Sequence, residues 1–250
     1  MPSSQSGRAE PFGSAQDRLA RLIARPFAHR GLHGGGRIEN SRAAFLAAIA
    51  AGHGIELDVQ ASADGVAMVF HDEALDRLTW RSGTLSALAA AELERVPLRD
   101  SSETIPSLAE ALALIAGRTP LLIEAKAPGR RAAALGRSVA AALTGYGGAV
   151  AVMSFNPEIG HWFARHDPER LRGLVVTESG RRWRGWLARP LALWRSRAHF
   201  LAYDVRDLPS SFAAAQRARG MKILTWTCRG AADRARAARH ADQIIYEAES

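Results

Sequence analysis

Between positions 28 and 72 the chain sets out His29-Arg30-Gly31, Glu39-Asn40, Glu56-Leu57-Asp58 and His71-Asp72 across strand-like segments. Two histidines can exchange protons near neutral pH, an arginine can hold a phosphate or a carboxylate, and acidic oxygens can hold a hard cation. Together these residue types point to metal-assisted cleavage of a phosphate ester.

Glu56 and Asp58 stand two residues apart. In an extended strand they share one face, with Ile55, Leu57 and Val59 on the other. This predicts a wet, acidic face, for which the plain alternative is a solvent-facing pair on an edge strand. Like charges side by side need a cation or a proton, and oxygen-only donors favour Mg²⁺ or Ca²⁺ over zinc. The same geometry returns in Leu121-Leu122-Ile123-Glu124-Ala125-Lys126, where an apolar strand delivers Glu124 as a third carboxylate and Lys126 beside it. Lys126 could screen that carboxylate or hold a phosphate oxygen; the plain alternative is an ion pair at a strand end. Lys126 and Lys222 are the only lysines in a chain that otherwise uses arginine.

His29 and His71 each close a strand-like run, and strand ends carry chemistry in parallel barrels. A lone histidine there is more often structural, but two of them beside acids can stand on opposite sides of one substrate as acid and base. Asp72 could fix an imidazole tautomer. His33, His53, His161, His166, His199 and His240 lack comparable company and read as structural or surface residues.

The run AHRG…ENSRAAFLAAIAAGHGIELDVQASADGVAMVFHDEALDRLT, followed by IPSLAEALALIAGRTPLLIEAK, resembles the glycerophosphodiester phosphodiesterase family. The ordered set HRG, EN, ExD, DG, HD and ExK is far more specific than any one piece. The resemblance is strong from Phe27 through Lys126, weaker at Met153-Ser154-Phe155 and Leu224-Thr225-Trp226-Thr227, and absent from residues 1–25. It implies hydrolysis of a glycerophosphodiester to glycerol 3-phosphate and an alcohol, and so a place in glycerol and lipid metabolism. His29 and His71 would be the acid-base pair, and Glu56, Asp58 and Glu124 would hold a divalent cation, Mg or Ca. Arg30 and Lys126 would contact the phosphate, and Glu39 the metal or the substrate. Two departures stand out: the family often shows Trp-Thr-Val-Asn and an Ile-Thr-Asp or Ile-Thr-Asn ending, but here stand Trp226-Thr227-Cys228-Arg229 and Ile244-Ile245-Tyr246-Glu247. Both fall where the glycerol or the leaving group could be read, so they leave the alcohol open. Alternatives are a lysophospholipase D-like activity on acylated substrates and an inactive barrel that binds lipid or protein.

Strand-like and helical segments alternate, which points to an α/β fold, a (β/α)8 TIM-type barrel with a small insertion near its mouth. Strand candidates continue at 149–155, 171–177, 200–205, 222–227 and 243–246, one more than eight in all. The link Ser62-Ala63-Asp64-Gly65 is too short for a crossover helix, so one of the strands flanking it is expected to be an antiparallel or irregular addition. A helix is predicted after Asn40, with Phe45, Ala48 and Ile49 on one side. Ser107-Leu108-Ala109-Glu110 reads as a capping box. The expected division is a polar extension over 1–25 and one barrel domain over 26–250, with the insertion at about 73–106.

With 250 residues, 47% of them hydrophobic, the chain can bury one large core. Its single cysteine, Cys228, excludes an internal disulfide. The net charge of +8 raises nucleic-acid binding, but the basic residues are scattered and no recognition motif is present. No nucleic acid is therefore expected. There is no secretory h-region and no apolar run of the ~20 residues a membrane span needs, so a soluble, cytoplasmic protein is expected. Its oligomeric state is open. The stretch 181–195 is rich in arginine and tryptophan. If helical, it aligns Trp183, Trp186, Leu187, Leu191 and Trp194, either against the barrel or as a peripheral contact with anionic membrane, and Pro190 predicts a break.

Overall fold

The structure, a computed structural model, describes residues 14–127, 129–179 and 185–248. Among the described residues nine strands form one sheet: Phe27–Ala28 (β1), Gly54–Ala61 (β2), Ala67–Val69 (β3), Leu121–Ala125 (β4), Val150–Ser154 (β5), Leu171–Val176 (β6), Phe200–Asp204 (β7), Lys222–Cys228 (β8) and Gln243–Tyr246 (β9). Eight of them run parallel in the order β1-β9-β8-β7-β6-β5-β4-β2, and β2 pairs back to β1, which closes a TIM barrel. The extra strand is β3, antiparallel on β2 with Val59 opposite Val69. Its connection is a tight turn in which Gly65 N donates to Ser62 O at 3.0 Å, leaving no room for a crossover helix.

Helices lie between the strands. Phe45 and Ala48 of helix Arg42–Ala50 pack in one apolar cluster with Ile55, Leu57 and Val59, which fixes the outward face of β2. Strand alternation then sends Glu56 and Asp58 inward. Helix Leu108–Ile115 is capped by Ser107, whose side chain accepts from Glu110 N. The expected reciprocal half of the box is not made, because the Glu110 carboxylate is taken by Arg42, with contacts of 2.5 and 2.7 Å.

Residues 15–22, read from their polar composition as part of an extension, form an amphipathic helix, Ala15–Leu22. Leu19, Leu22 and Ile23 join Phe27, Leu122, Leu171 and Phe200, so this helix closes the end of the barrel where the strands begin. Residues 73–106 carry a small core of their own, with Leu75, Leu85, Leu93, Val96, Leu98 and Ile105 packed on Met68 and Phe70. Helix Gly185–Ser196 runs through Pro190, where a break was expected. The ring removes one backbone donor without ending the helix. Trp183 lies outside the described residues, as do the side chains of Trp186 and Leu187. Among the described residues no helix is long and apolar enough to cross a membrane.

Helix Pro157–His166 meets helix Gly185–Ser196 at Gly160, where an added Cβ would lie 2.5 Å from the Ser196 carbonyl oxygen. A backbone atom cannot rotate away as a side chain can. Gly160→Ala is therefore expected to lower stability by about 1–3 kcal/mol, read as a reduced urea midpoint, while leaving the distant strand ends in place.

Candidate active site

The parallel register of β2 and β4 sets Asp58 beside Glu124, with Glu56 one inward position earlier on β2. One carboxylate oxygen from each of Glu56, Asp58 and Glu124 falls within 4.8 Å of the others, and all three side chains are buried. The face expected to be wet is thus enclosed, because β2 lies between β1 and β4 rather than at an edge.

Three groups secure this cluster. Lys126, two residues beyond Glu124, places Nζ 2.6 Å from Glu124 Oε1 and 3.1 Å from Asp58 Oδ1. Arg30 and Gly31 follow β1 with φ of 55° and 79°, a left-handed turn held close against Ala44. The turn aims Arg30 N at Glu56 Oε2, 3.0 Å away, and puts Arg30 Nε 3.3 Å from Asp58 Oδ2. Asn40 completes the set: its Nδ2 donates to Asp58 Oδ2 at 3.0 Å while its Oδ1 accepts from Asp58 N at 3.3 Å. The Asn40 contribution was not foreseen, although its place in the EN pair was the available signal.

Two cations against three anions leave a deficit, and it falls on Glu56. Burial first, then the neighbouring charges of Asp58 and Glu124, push its carboxyl well above the usual range. Burial acts the same way on Asp58, but Lys126 and Arg30 outweigh it and hold that group low. Burial raises Glu124 against the opposing pull of Lys126. An all-oxygen donor set with an excess buried negative charge fits a hard divalent cation.

Both expected histidines stand at this end of the barrel. Because β9 pairs with β1, the residues that follow them, Glu247 and His29, become neighbours: His29 Nδ1 lies 2.8 Å from Glu247 Oε1, and Nε2 lies 4.0 Å from Glu56 Oε2. Arg229 grips the same carboxylate at 2.7 and 3.0 Å. The hydrogen bond from His29, with Arg229 adding to it, brings Glu247 down to about 2. His71 repeats the pattern locally, its Nδ1 2.6 Å from Asp72 Oδ1, with Arg77 paired to that carboxylate. Gln60 Nε2 donates to the carbonyls of Phe70, His71 and Asp72 at 3.0, 3.0 and 2.7 Å, pinning the segment after β3. Burial lowers the pKa of both imidazoles.

Glu39 lies apart from the carboxylate cluster. It accepts from Arg30 at 2.7 Å and from Arg77 at 2.7 and 3.0 Å, so it links the turn after β1 to the segment holding His71. His33 is not the isolated residue it resembled in the sequence: a ring nitrogen lies within 4.8 Å of ligand atoms of His29 and Glu247.

A cavity of about 320 Å³ exposes His29, Arg30, His71 and Lys126, and its far wall holds Asp204, Arg206, Trp226 and Arg229. A second cavity, about 340 Å³, opens beside it over Gln60, Ala61, Ala125, Ala127 and Leu135. The two share His71, Glu124, Lys126 and Phe155. Phe155 meets Trp226 edge to face, with ring centres 5.6 Å apart. The arrangement can hold an anionic centre at the shared residues with a group on either side.

The model of the glycerophosphoryl diester phosphodiesterase family matches residues 29–246. Over 104 residues the chain is 40% identical to a glycerophosphodiester phosphodiesterase of Bacillus altitudinis, a stretch covering 39% of this chain and 42% of that protein. A second such relative, from Caldanaerobacter subterraneus, is 38% identical over 84 residues, 31% of this chain and 35% of that one. The chain thus aligns with less than half the length of these curated relatives. Among solved structures, a phosphodiesterase of Oleispira antarctica in complex with the product sn-glycerol-3-phosphate shares the fold. Its TM-score is 0.79 at 22% identity, covering 93% of this chain and 94% of that one. A glycerophosphodiester phosphodiesterase from Agrobacterium tumefaciens gives a TM-score of 0.68 at 25% identity, covering 89% and 95%. With the family match reaching from the first strand-end histidine to the last strand, the chain belongs to the glycerophosphoryl diester phosphodiesterase family.

Proposed function

We propose that this protein hydrolyses glycerophosphodiesters to glycerol 3-phosphate and an alcohol. The observation that carries this reading is the meeting, in one cavity, of two carboxylate-anchored imidazoles with a three-carboxylate cluster and two cationic side chains. Glu56, Asp58 and Glu124 would hold the divalent cation, Mg or Ca, and that ion when bound neutralises charge on the non-bridging phosphate oxygens. Arg30 and Lys126 face the same place and bind phosphate oxygens by charge-assisted hydrogen bonds. Glu39 keeps Arg30 aimed by sharing its guanidinium.

Both histidines have Nδ1 engaged by a carboxylate, which leaves Nε2 for proton exchange. One deprotonates the nucleophile, water or a neighbouring glycerol hydroxyl, and the other protonates the departing alkoxide. The cavities on either side of the shared residues receive the glycerol and the alcohol. The apolar side chains of the second cavity, Ala61, Ala125, Ala127 and Leu135, favour a second reading in which the substrate keeps an acyl chain. Parallel assays on glycerophosphocholine and lysophosphatidylcholine separate the two.

His29→Ala and His71→Ala should each lower turnover by about 10² to 10⁴ at saturating substrate. A substrate with a strongly acidic leaving group should restore part of the rate in only one of them, which identifies the general acid. Near-parent turnover in either variant would make that histidine structural.

Two exposed side chains support a peripheral membrane contact as well. Leu191 and Trp194 are 63% and 73% exposed on helix Gly185–Ser196, while Ala192 and Leu193 face the core. Exposed leucine and tryptophan on a helix that also carries arginine suit a membrane interface with anionic headgroups. Leu191→Ala combined with Trp194→Ala should abolish salt-sensitive binding to anionic liposomes without changing turnover of soluble substrate. Equal liposome binding by the double variant and the wild type would remove this helix from the contact.

A further inference from the structure

The turn that follows β1 does more than place Arg30. After the left-handed residues Arg30 and Gly31 the chain doubles back, with His33 N donating to Gly31 O at 2.9 Å, and His33 returns to the side of His29. Barrel closure adds Glu247 from the far end of the chain. One ligand atom each from His29, His33 and Glu247 falls within 4.8 Å of the others. This group differs in chemistry from the carboxylate cluster: two imidazoles and one carboxylate suit Zn²⁺ and Co²⁺, whereas three carboxylates suit Mg²⁺ and Ca²⁺.

His33 Nε2 is enclosed and has no hydrogen-bonding partner. An enclosed ring nitrogen without a partner is unusual, and in the tautomer that bears its proton on Nδ1 it has a lone pair free to coordinate. Glu247 is prepared in a different way. Its Oε1 already meets His29 Nδ1 at 2.8 Å, and Arg229 grips both oxygens, Nε to Oε2 at 2.7 Å and Nη2 to Oε1 at 3.0 Å, fixing the orientation of the carboxylate as an outer partner does at a metal site. Zinc bonds to nitrogen and oxygen run at about 2.0–2.2 Å, so admitting an ion needs only a small separation of Oε1 from the ring. Gly34, Gly35 and Gly36 form the adjacent loop, and no heavy atom lies within 4 Å of a Cβ built at Gly34 or Gly36.

We propose that His29, His33 and Glu247 form a second metal site, selective for borderline ions such as Zn²⁺, whose occupation withdraws His29 from proton transfer. Coordination through Nδ1 moves the ring's single proton to Nε2, with no net change in protons bound. It leaves that ring without a free lone pair for a substrate proton. The hard ion at the carboxylate cluster would therefore support turnover while the borderline ion suppresses it, two metals acting in opposite senses around one histidine. The binding claim rests on geometry alone; only the inhibitory consequence rests on the role proposed above for His29.

The test uses the full chain, saturated with Mg²⁺ or Ca²⁺, titrated with Zn²⁺ by calorimetry and with Co²⁺ by visible absorption, for wild type, His33→Ala and His33→Gln. Wild type should bind one Zn²⁺ beyond the hard-ion site, give the intense visible bands of four-coordinate Co²⁺, and lose hydrolysis in parallel. Both His33 variants should hydrolyse substrate as wild type does without zinc. They should bind Zn²⁺ more weakly by at least the roughly 10- to 100-fold that loss of an outer partner costs at a metal site, and resist inhibition. Undiminished zinc affinity in both variants, or absence of zinc binding to wild type, would overturn the site. Zinc binding that disappears in Glu56→Gln but persists in the His33 variants would assign it to the carboxylates instead. Should wild type bind zinc at His33 yet hydrolyse nothing without it, the metal site stands and the proposed function fails.

Discussion

Three carboxylates buried side by side at one end of a barrel impose a constraint that the surrounding structure answers residue by residue. Two unit charges of the same sign 4 Å apart repel by about 4 kcal/mol at an effective dielectric of 20. Removing each from water costs several kcal/mol more. Lys126 and Arg30 reduce that burden, and their positions account for two local features, the ExK spacing at the end of β4 and the left-handed turn after β1. Asn40, itself at φ 56°, serves the same end by donating to Asp58. The remaining excess charge sits on Glu56. A divalent cation bound by the three carboxylates would offset it.

The two histidines are organised by one rule applied twice. Each gives Nδ1 to a carboxylate, and each carboxylate is fixed by an arginine, Glu247 by Arg229 and Asp72 by Arg77. The His71 version is built from nearby residues and hangs on the segment that Gln60 pins. The His29 version is assembled across the closure of the barrel by pairing of β1 with β9. Both leave Nε2 available. Arg229 and Glu247, one from each place where the sequence departs from the pattern it resembles, pair with each other, and Glu247 in turn meets His29.

Strand alternation alone put Glu56 with Asp58, and Glu124 with Lys126, on shared faces, though it made the acidic face wet rather than enclosed, and the short link before Val66 marked one of the two strands flanking it, which proves to be β3, as the antiparallel addition. These signals were legible because they depend on spacings of two residues and a turn of four. The partnership of His29 with Glu247 was hidden, since the two lie 218 residues apart and only barrel closure joins them. His33 was hidden for a related reason: its proximity to Glu247 exists only once the strands are paired. The helix Ala15–Leu22 escaped notice because it carries only two large apolar residues, Leu19 and Leu22, set among Gln16, Asp17, Arg18 and Arg21. Pro190 misled in the other direction, as a helix packed through Ala192 and Leu193 tolerates the loss of one backbone donor.

The most direct test of this account is turnover of glycerophosphocholine by protein stripped of divalent metal, followed as release of glycerol 3-phosphate before and after Mg²⁺ or Ca²⁺ is restored. The account predicts no product from the stripped protein, a retained fold by circular dichroism, and recovery on adding back the ion in wild type but far less in Glu56→Gln. Undiminished release of glycerol 3-phosphate with the metal confirmed absent would contradict it.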